Sequence, residues 1–267
     1  MPTDPSTGNA QLARRDVAKD ADALRELHRP GDPLLLANIW DPPTAMVAAA
    51  AGARAIATAS AAIAPANGYE DHGKLPPEVA FAAIRRIADA VQLPITADLE
   101  DGYGLSAEEL AVRLIDAGAA GLNLEDSDHS NGGLVDPSWQ AERIAAVKSA
   151  GRALGVDLMI NARVDVHLHG GSPDDGIRRA VQYREAGANC IYPILLSDLA
   201  ALREYVAIAP TNALARPNGP LLSKLVGVGV SRISVGPFMH RLMLERLQSA
   251  IEAYYRLDDE NAWGVRS

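Results

Sequence analysis

The stretch "SAEELAVRLIDAGAAGLNLED" (106–126) contains one complete repeating unit of this chain: a helix, a glycine turn and a strand. Its apolar residues recur with period 3.6 up to Ile115, and Ser106 with Glu109 makes a capping box at the helix start. Gly118 then ends the helix in the left-handed conformation and lets the chain turn into the apolar run "AGLNLED". The same punctuation returns in "AAAAGARAI" (48–56), "REAGANCI" (184–191) and "LVGVGVSRI" (225–233). Working outward from it, eight strand-like runs emerge, at 33–40, 53–60, 93–100, 120–126, 156–165, 188–194, 211–217 and 231–236. Amphipathic helical stretches such as "PPEVAFAAIRRIADAV" (76–91) separate them. Strict alternation over eight units predicts an α/β fold in which a parallel sheet closes into a (β/α)8 TIM barrel, a fold of about 250 residues. The structural alternative is a doubly wound open sheet. Against it, no G-x-G-x-x-G follows the first strand and no phosphate-binding P-loop occurs.

The 267 residues are 48% hydrophobic, enough for one large core, and are read as a single domain over 1–267. Residues 1–10 are expected to form a flexible arm. Residues 240–257, "HRLMLERLQSAIEAYYRL", form a long last helix whose Leu242, Leu247, Ile251, Tyr254 and Tyr255 present enough apolar surface to need a partner. No run of about 18 apolar residues marks a membrane span, and no signal peptide opens the chain, which reads as cytoplasmic. The net charge of −9 argues against nucleic acid, since Lys and Arg form no cluster to meet phosphates. A single cysteine, Cys190, excludes an internal disulfide and reads as an ordinary buried thiol.

In a barrel of this kind the active site lies at the carboxyl ends of the strands. Those ends carry Asp41; Thr58 and Ser60; Asp98, Glu100 and Asp101; Glu125 and Asp126; Asn161, Arg163 and Asp165; and Asn212 and Arg216. Carboxylates converging on one opening repel one another unless a cation sits among them. Asp98, Glu100 and Glu125 are therefore assigned to Mg2+, with Mn2+ as a substitute, held directly or through water. Asp98 and Glu100 alternate along one strand and so should share a face. Arg163 and Arg216 are assigned to anionic groups of the ligand, because the guanidinium fork matches a carboxylate or phosphonate. Such a site suits a small, metal-chelating 2-oxo acid. The plainer readings are that Asp101 and Asp126 cap helices and that Arg163 pairs with a neighbouring Asp. "HLH" (167–169) lacks the third ligand a zinc site needs.

From about residue 25 to 256 the chain resembles the isocitrate lyase and phosphoenolpyruvate mutase superfamily. "ANIWDPPTAMVAAAAGARAIATASA" is similar to its opening segment, with the strand-end Asp at Asp41. "NGYEDHGKLPPEVAFAAIRRI" resembles its gating segment, with the functional Asp at Asp71. "ADLEDGYG" resembles the metal-binding stretch, with Glu100 where Asp is usual; "AGLNLED" supplies the further metal-shell Glu125, and "INARVD" the substrate-holding Arg163. The resemblance implies a Mg2+-dependent enzyme acting through the enolate of a 2-oxo acid. It also implies a homotetramer that exchanges its last helices, and it places Tyr103 close to the metal.

The departures narrow this. The lyases carry Lys-Lys-Cys-Gly-His after strand four; here the loop reads "SDHSNGGLVD" (127–136), without Cys or Lys. Ile194 stands where those enzymes have Glu or His, and Ala59 where a substrate-contacting Ser is usual, leaving Ser60 and the backbone of Ala61 to hold a carboxylate. Asn212 and Arg216 lie at the end of strand seven, and Arg216 suggests a second anionic group on the substrate. Proton-transfer candidates are His129, Asp71 and Tyr103, with Asp71 preferred as part of a closing lid. The expected function is a Mg2+-dependent C–C lyase or decarboxylase acting on a 2-oxo or 2-hydroxy di- or tricarboxylate. The alternatives are a phosphonate enzyme and a non-catalytic dicarboxylate-binding barrel.

Overall fold

A computed structural model describes residues 15–263; the expected arm at 1–10 lies outside the described residues. The element order is α1 (Val17–Leu27), β1 (Leu34–Leu36), β2 (Asn38–Ile39), α2 (Pro42–Ala50), β3 (Ile56–Thr58), α3 (Ser60–Ala66), α4 (Pro77–Ala90), β4 (Ile95–Asp98), α5 (Ala107–Asp116), β5 (Gly121–Glu125), α6 (Pro137–Ala153), β6 (Met159–Val164), α7 (Pro173–Glu185), β7 (Cys190–Pro193), α8 (Leu199–Ile208), β8 (Asn212–Leu214), α9 (Leu222–Val228), β9 (Arg232–Ser234), α10 (Phe238–Tyr255) and α11 (Asp259–Trp263). Each of the eight strand-like runs read from the sequence contains an observed strand. The glycines that punctuate the units hold left-handed backbone, with φ +91° at Gly52, +82° at Gly118, +105° at Gly187 and +96° at Gly229. The capping box at Ser106 and Glu109 is formed.

All pairing within the ladders is parallel, β2-β3-β4-β5-β6-β7 in one and β1-β9-β8 in the other. The ladders meet where β1 runs through Ala37 into β2, and where Ile191 of β7 bridges Thr211 just before β8. The expected first strand, 33–40, is thus two short ones. Its first half pairs with β9 and its second with β3, so the ladder breaks where the strand changes neighbour. Asn38 stitches this junction: Val235 N and Gly236 N donate to its Oδ1 at 2.9 and 3.0 Å, and its Nδ2 donates to Thr58 O at 2.7 Å. The result is a TIM-barrel-like α/β arrangement.

The main apolar core lies between strands and helices, where Leu122, Leu124, Ile160 and Ala162 are fully buried. α1, which lies ahead of the eight units, adds Ala21 and Leu24 to it. The alternate strand positions, facing the other way, are unusually polar: Asn123, Asn161, Asn212, Arg232 and Ser234 are all buried. Branched apolar residues usually fill this space.

Candidate active site

Asp98 ends β4, and donors hold it on several sides. Ser60 gives its backbone N–H (3.1 Å) and its hydroxyl (2.9 Å) to Oδ2, while Asn123 Nδ2 donates to Oδ1 at 3.2 Å. The backbone N–H of Asp98 donates in turn to Thr58 Oγ1 at 2.9 Å. Ser60, expected to meet a substrate carboxylate, therefore spends both of these donors on Asp98. Ala61 follows it in the first turn of α3.

Glu100 does not continue the strand. β4 stops at Asp98, and Glu100 has φ +52°, so its placement on the same side as Asp98 comes from a turn and not from strand alternation. The left-handed backbone of a glutamate is a local strain of the kind found at functional sites. The carboxylate is 2% exposed; Oε2 accepts from Gly73 N, and Oε1 has no hydrogen-bond partner among the described residues. Burial, then the charges of Asp71, Glu125 and Asp98, push its pKa up to about 8 despite the Gly73 N–H. Asp71 contributes another unpartnered buried oxygen, Oδ1. Tyr103, also at positive φ (+54°), is driven well above the usual phenol range by burial and by the charges of Glu100, Asp98 and Asp71. It remains a neutral phenol, suited to donating a hydrogen bond.

Glu125, at the end of β5, is gripped by two cations. Arg163 Nη1 contacts Oε2, and His129 Nε2 lies 2.7 Å from Oε1 and 3.8 Å from Glu100 Oε2. The bond to Glu125, outweighing burial, raises the His129 pKa to about 9, so the imidazole is protonated at neutral pH. The neighbouring-Asp pairing considered for Arg163 is present: Nε and Nη2 form a fork onto Asp165 at 2.7 and 2.8 Å. With three of five N–H groups so engaged, two remain for a ligand. Asp165 also accepts from Ser127 Oγ at 2.6 Å, and its backbone N–H donates to Asp126 at 2.8 Å.

Other expected residues fall elsewhere. Asp41 is the N-cap of α2, where Oδ1 accepts from Thr44 N at 2.8 Å and Thr44 Oγ1 at 2.7 Å. Asn212 is buried and pairs with Ser234 Oγ at 3.1 Å. Arg216 donates to Ser197 Oγ at 2.9 Å on the rim. Asp101 accepts from Tyr103 N and closes a turn, and Asp126 binds Arg179 and Tyr183 at 3.0 and 2.7 Å, so neither caps a helix. His167 contacts Tyr205 and His169 contacts Ser127, each at 3.0 Å. Burial pushes the Cys190 thiol up to about 12. The sequence reading passed over Asn123 and Arg232. The available signal was a polar residue at alternate positions of runs such as "GLNLE", in strands that a parallel sheet normally makes apolar throughout.

At the strand ends, then, Asp98, Glu100 and Glu125 lie near one another, Arg163 forks onto Asp165, and Gly73 sits against Glu100. The phosphoenolpyruvate phosphomutase family matches residues 24–255. The chain belongs to this family. It therefore lies in the isocitrate lyase/PEP mutase superfamily. Among relatives of the family, the chain is 31% identical to 2-methylisocitrate lyase of Escherichia coli K12, covering 71% of this chain and 70% of the other. A solved structure from Burkholderia cenocepacia J2315, provisionally described as a phosphonomutase, is 38% identical with TM-score 0.81, covering 88% of this chain and 99% of that one. Phosphonopyruvate hydrolase, solved with oxalate and Mg2+, shares the fold at TM-score 0.78 and 20% identity, covering 93% and 92%.

The donor set fits a hard cation. Unpartnered buried oxygens on Glu100 and Asp71 and the raised Glu100 pKa all mark surplus negative charge. Among the described residues no three His, Cys, Asp or Glu side chains converge enough to ligate one ion together. A cation here would take one or two carboxylates directly and the rest through water, as Mg2+ commonly does. No helix is long and apolar enough to cross a membrane among the described residues.

Proposed function

We propose that this protein is a Mg2+-dependent C–C lyase or decarboxylase that converts a small 2-oxo or 2-hydroxy di- or tricarboxylate to a pyruvate-type product through an enolate. The observation that carries the reading is the buried carboxylate of Glu100, its Oε1 without a hydrogen-bond partner among the described residues and Asp71, Asp98 and Glu125 close by, beside an Arg163 with two N–H groups left over. A bound divalent ion, held by Glu100 with Asp98 and Glu125 directly or through water, would supply Lewis-acid polarisation of the 2-oxo group and stabilise enolate charge. Arg163, oriented by Asp165, binds the substrate carboxylate with its remaining N–H groups. His129, which holds a proton at Nε2 against Glu125, would deliver it to the enolate carbon, and with a 2-hydroxy acid the hydroxyl proton would pass to the Asp71 carboxylate, whose Oδ1 has no partner among the described residues. Tyr103 donates a hydrogen bond from its neutral phenol. The segment around Asp71–Gly73 lies over Glu100 and excludes water. In the same reading the ladders form one closed (β/α)8 barrel, and four copies exchange α10, whose apolar residues are exposed.

The family match and the Burkholderia relative favour a second reading, cleavage or rearrangement of a P–C bond. One experiment separates them. The protein is incubated with Mg2+ and oxaloacetate, isocitrate, methylisocitrate, a dimethylmalate-type acid or phosphonopyruvate, and the products are identified. Pyruvate with CO2 from oxaloacetate supports the first reading, as does a 2-oxo acid released with a saturated carboxylic acid from a 2-hydroxy acid, glyoxylate with succinate from isocitrate or pyruvate with succinate from methylisocitrate. Phosphate or phosphoenolpyruvate from phosphonopyruvate supports the second. Mg2+-dependent stabilisation by an acid without turnover leaves only a binding protein and defeats both.

A further inference from the structure

We propose that Arg232 is a positioning residue for the Asp98 carboxylate, acting through the side-chain amide of Asn123. The inference rests on the reading of Asp98 as part of a metal and substrate site.

Arg232 begins β9, where Ile233 packs outward with Leu202, Leu225 and Val230, so that Arg232 and Ser234 face the opposite, inner side. The side chain is 1% exposed. A buried guanidinium is expensive unless partnered, and Leu or Met would fill this interior more cheaply. Its one side-chain hydrogen bond among the described residues runs from Nη2 to Asn123 Oδ1 at 3.1 Å; Nε and Nη1 make none. β9 and β5 are not neighbours in either ladder, so this bond crosses the interior between strands that share no backbone pairing.

Asn161 Nδ2 donates to the same Asn123 oxygen at 2.8 Å. With both lone pairs of Oδ1 engaged, the Asn123 amide has one acceptable orientation, with its NH2 group toward Asp98 Oδ1, 3.2 Å away. Turning the amide over would set NH2 against two donors and the oxygen against a carboxylate. Asn161 cannot enforce this alone, since its own amide can turn and offer Oδ1, which has no partner among the described residues. Arginine has donors and no acceptor, so it is the member of the set that cannot be reversed. Its charge lies one amide away from Asp98, opposite the side held by Ser60. Asp98 is thereby fixed from both sides.

The test is Mn2+ binding, followed by the electron paramagnetic resonance signal of the free ion, on the full-length wild-type chain and on R232M, R232Q, R232K, N123A and R232M/N123A. R232M and R232Q should weaken Mn2+ binding about 10- to 100-fold, the range for residues that orient metal ligands. R232K, also donor-only, should recover most of the affinity, and R232M should cost nothing further in the N123A background. Wild-type affinity in R232M, or an equal loss with and without Asn123, overturns the proposal. Should R232M fail to fold, the contrast between R232K and R232Q carries the same decision, equal affinities overturning it. Should the wild type bind no Mn2+, the metal reading fails and a crystal structure of R232Q or R232K decides the inference. An Asn123 amide turned from Asp98 in R232Q alone supports it, and an unmoved Asn123 in R232Q overturns it.

Discussion

At the scale of single residues, Glu100 is held in a form that water would not give it. Its pKa moves from 4.5 to about 8 chiefly through burial, so the folded protein binds a proton there that the unfolded chain releases. Through this group the metal-free protein loses stability as pH rises from about 4.5 to about 8. Glu100→Gln removes that loss. At pH 8 without metal the variant should melt higher, by roughly 5 °C for an effect of order 2 kcal/mol, and should bind Mn2+ more weakly. A melting temperature below wild type at pH 8, in calorimetry with a chelator present, contradicts this. His129 sits between Glu125 and Glu100 in the loop after β5. If it delivers the proton, His129→Ala should lower kcat by about 10²- to 10⁴-fold with Mn2+ binding retained, measured on whichever acid is turned over. Unchanged kcat assigns the proton elsewhere. The acidic residues themselves were legible, because charged side chains at the ends of apolar runs stand out. Their arrangement was not: Glu100 arrives through a left-handed turn that period-two reasoning misses, and the amide set of Asn123, Asn161 and Arg232 joins residues up to 109 positions apart.

At the scale of elements, every strand lay within its expected range because glycine turns and apolar runs are local signals. The broken first strand did not show, since its two halves answer to neighbours about 20 and nearly 200 residues away. The covering segment between α3 and α4 makes the link from element to function. Gly73 donates to Glu100, has φ +73°, and a Cβ there would meet His129 Cβ at 3.5 Å, an ordinary contact. Gly73→Ala is thus opposed by backbone conformation and not by space, at a cost of roughly 1 kcal/mol. That penalty falls on closing the segment over Glu100, so kcat/KM should drop about fivefold while the melting temperature moves by less than about 2 °C. Trypsin should also cut faster after the exposed Lys74. Wild-type rates of both turnover and cleavage would show that the segment is not held through Gly73.

At the scale of the whole molecule, α10 is the element that a lone chain leaves unsatisfied. Among its described residues only His240 and Ala253 are buried, His240 packing edge-on against Trp40 with ring centroids 4.7 Å apart. Leu242, Leu244, Leu247, Ile251 and Tyr254 are each more than 40% exposed, and Leu221 and Leu222 extend the apolar surface into the groove beside Phe238 and Met239. Contiguous apolar surface of this kind marks an association site. A closed symmetric assembly of identical chains is the common solution, and exchange of the helix would cover the donor's helix and the acceptor's groove in one contact. Leu247→Glu with Ile251→Glu places two carboxylates in that contact without touching the acidic cluster at the strand ends. Light scattering should give a tetramer for the wild type and a smaller species for the double variant, with Mn2+ affinity within about twofold if each barrel builds its metal site from its own residues. A wild-type monomer removes the exchange from the proposed assembly. A dissociated variant that has lost Mn2+ as well would mean that the neighbouring copy helps to shape the site, since the chain's own carboxylates would then be insufficient.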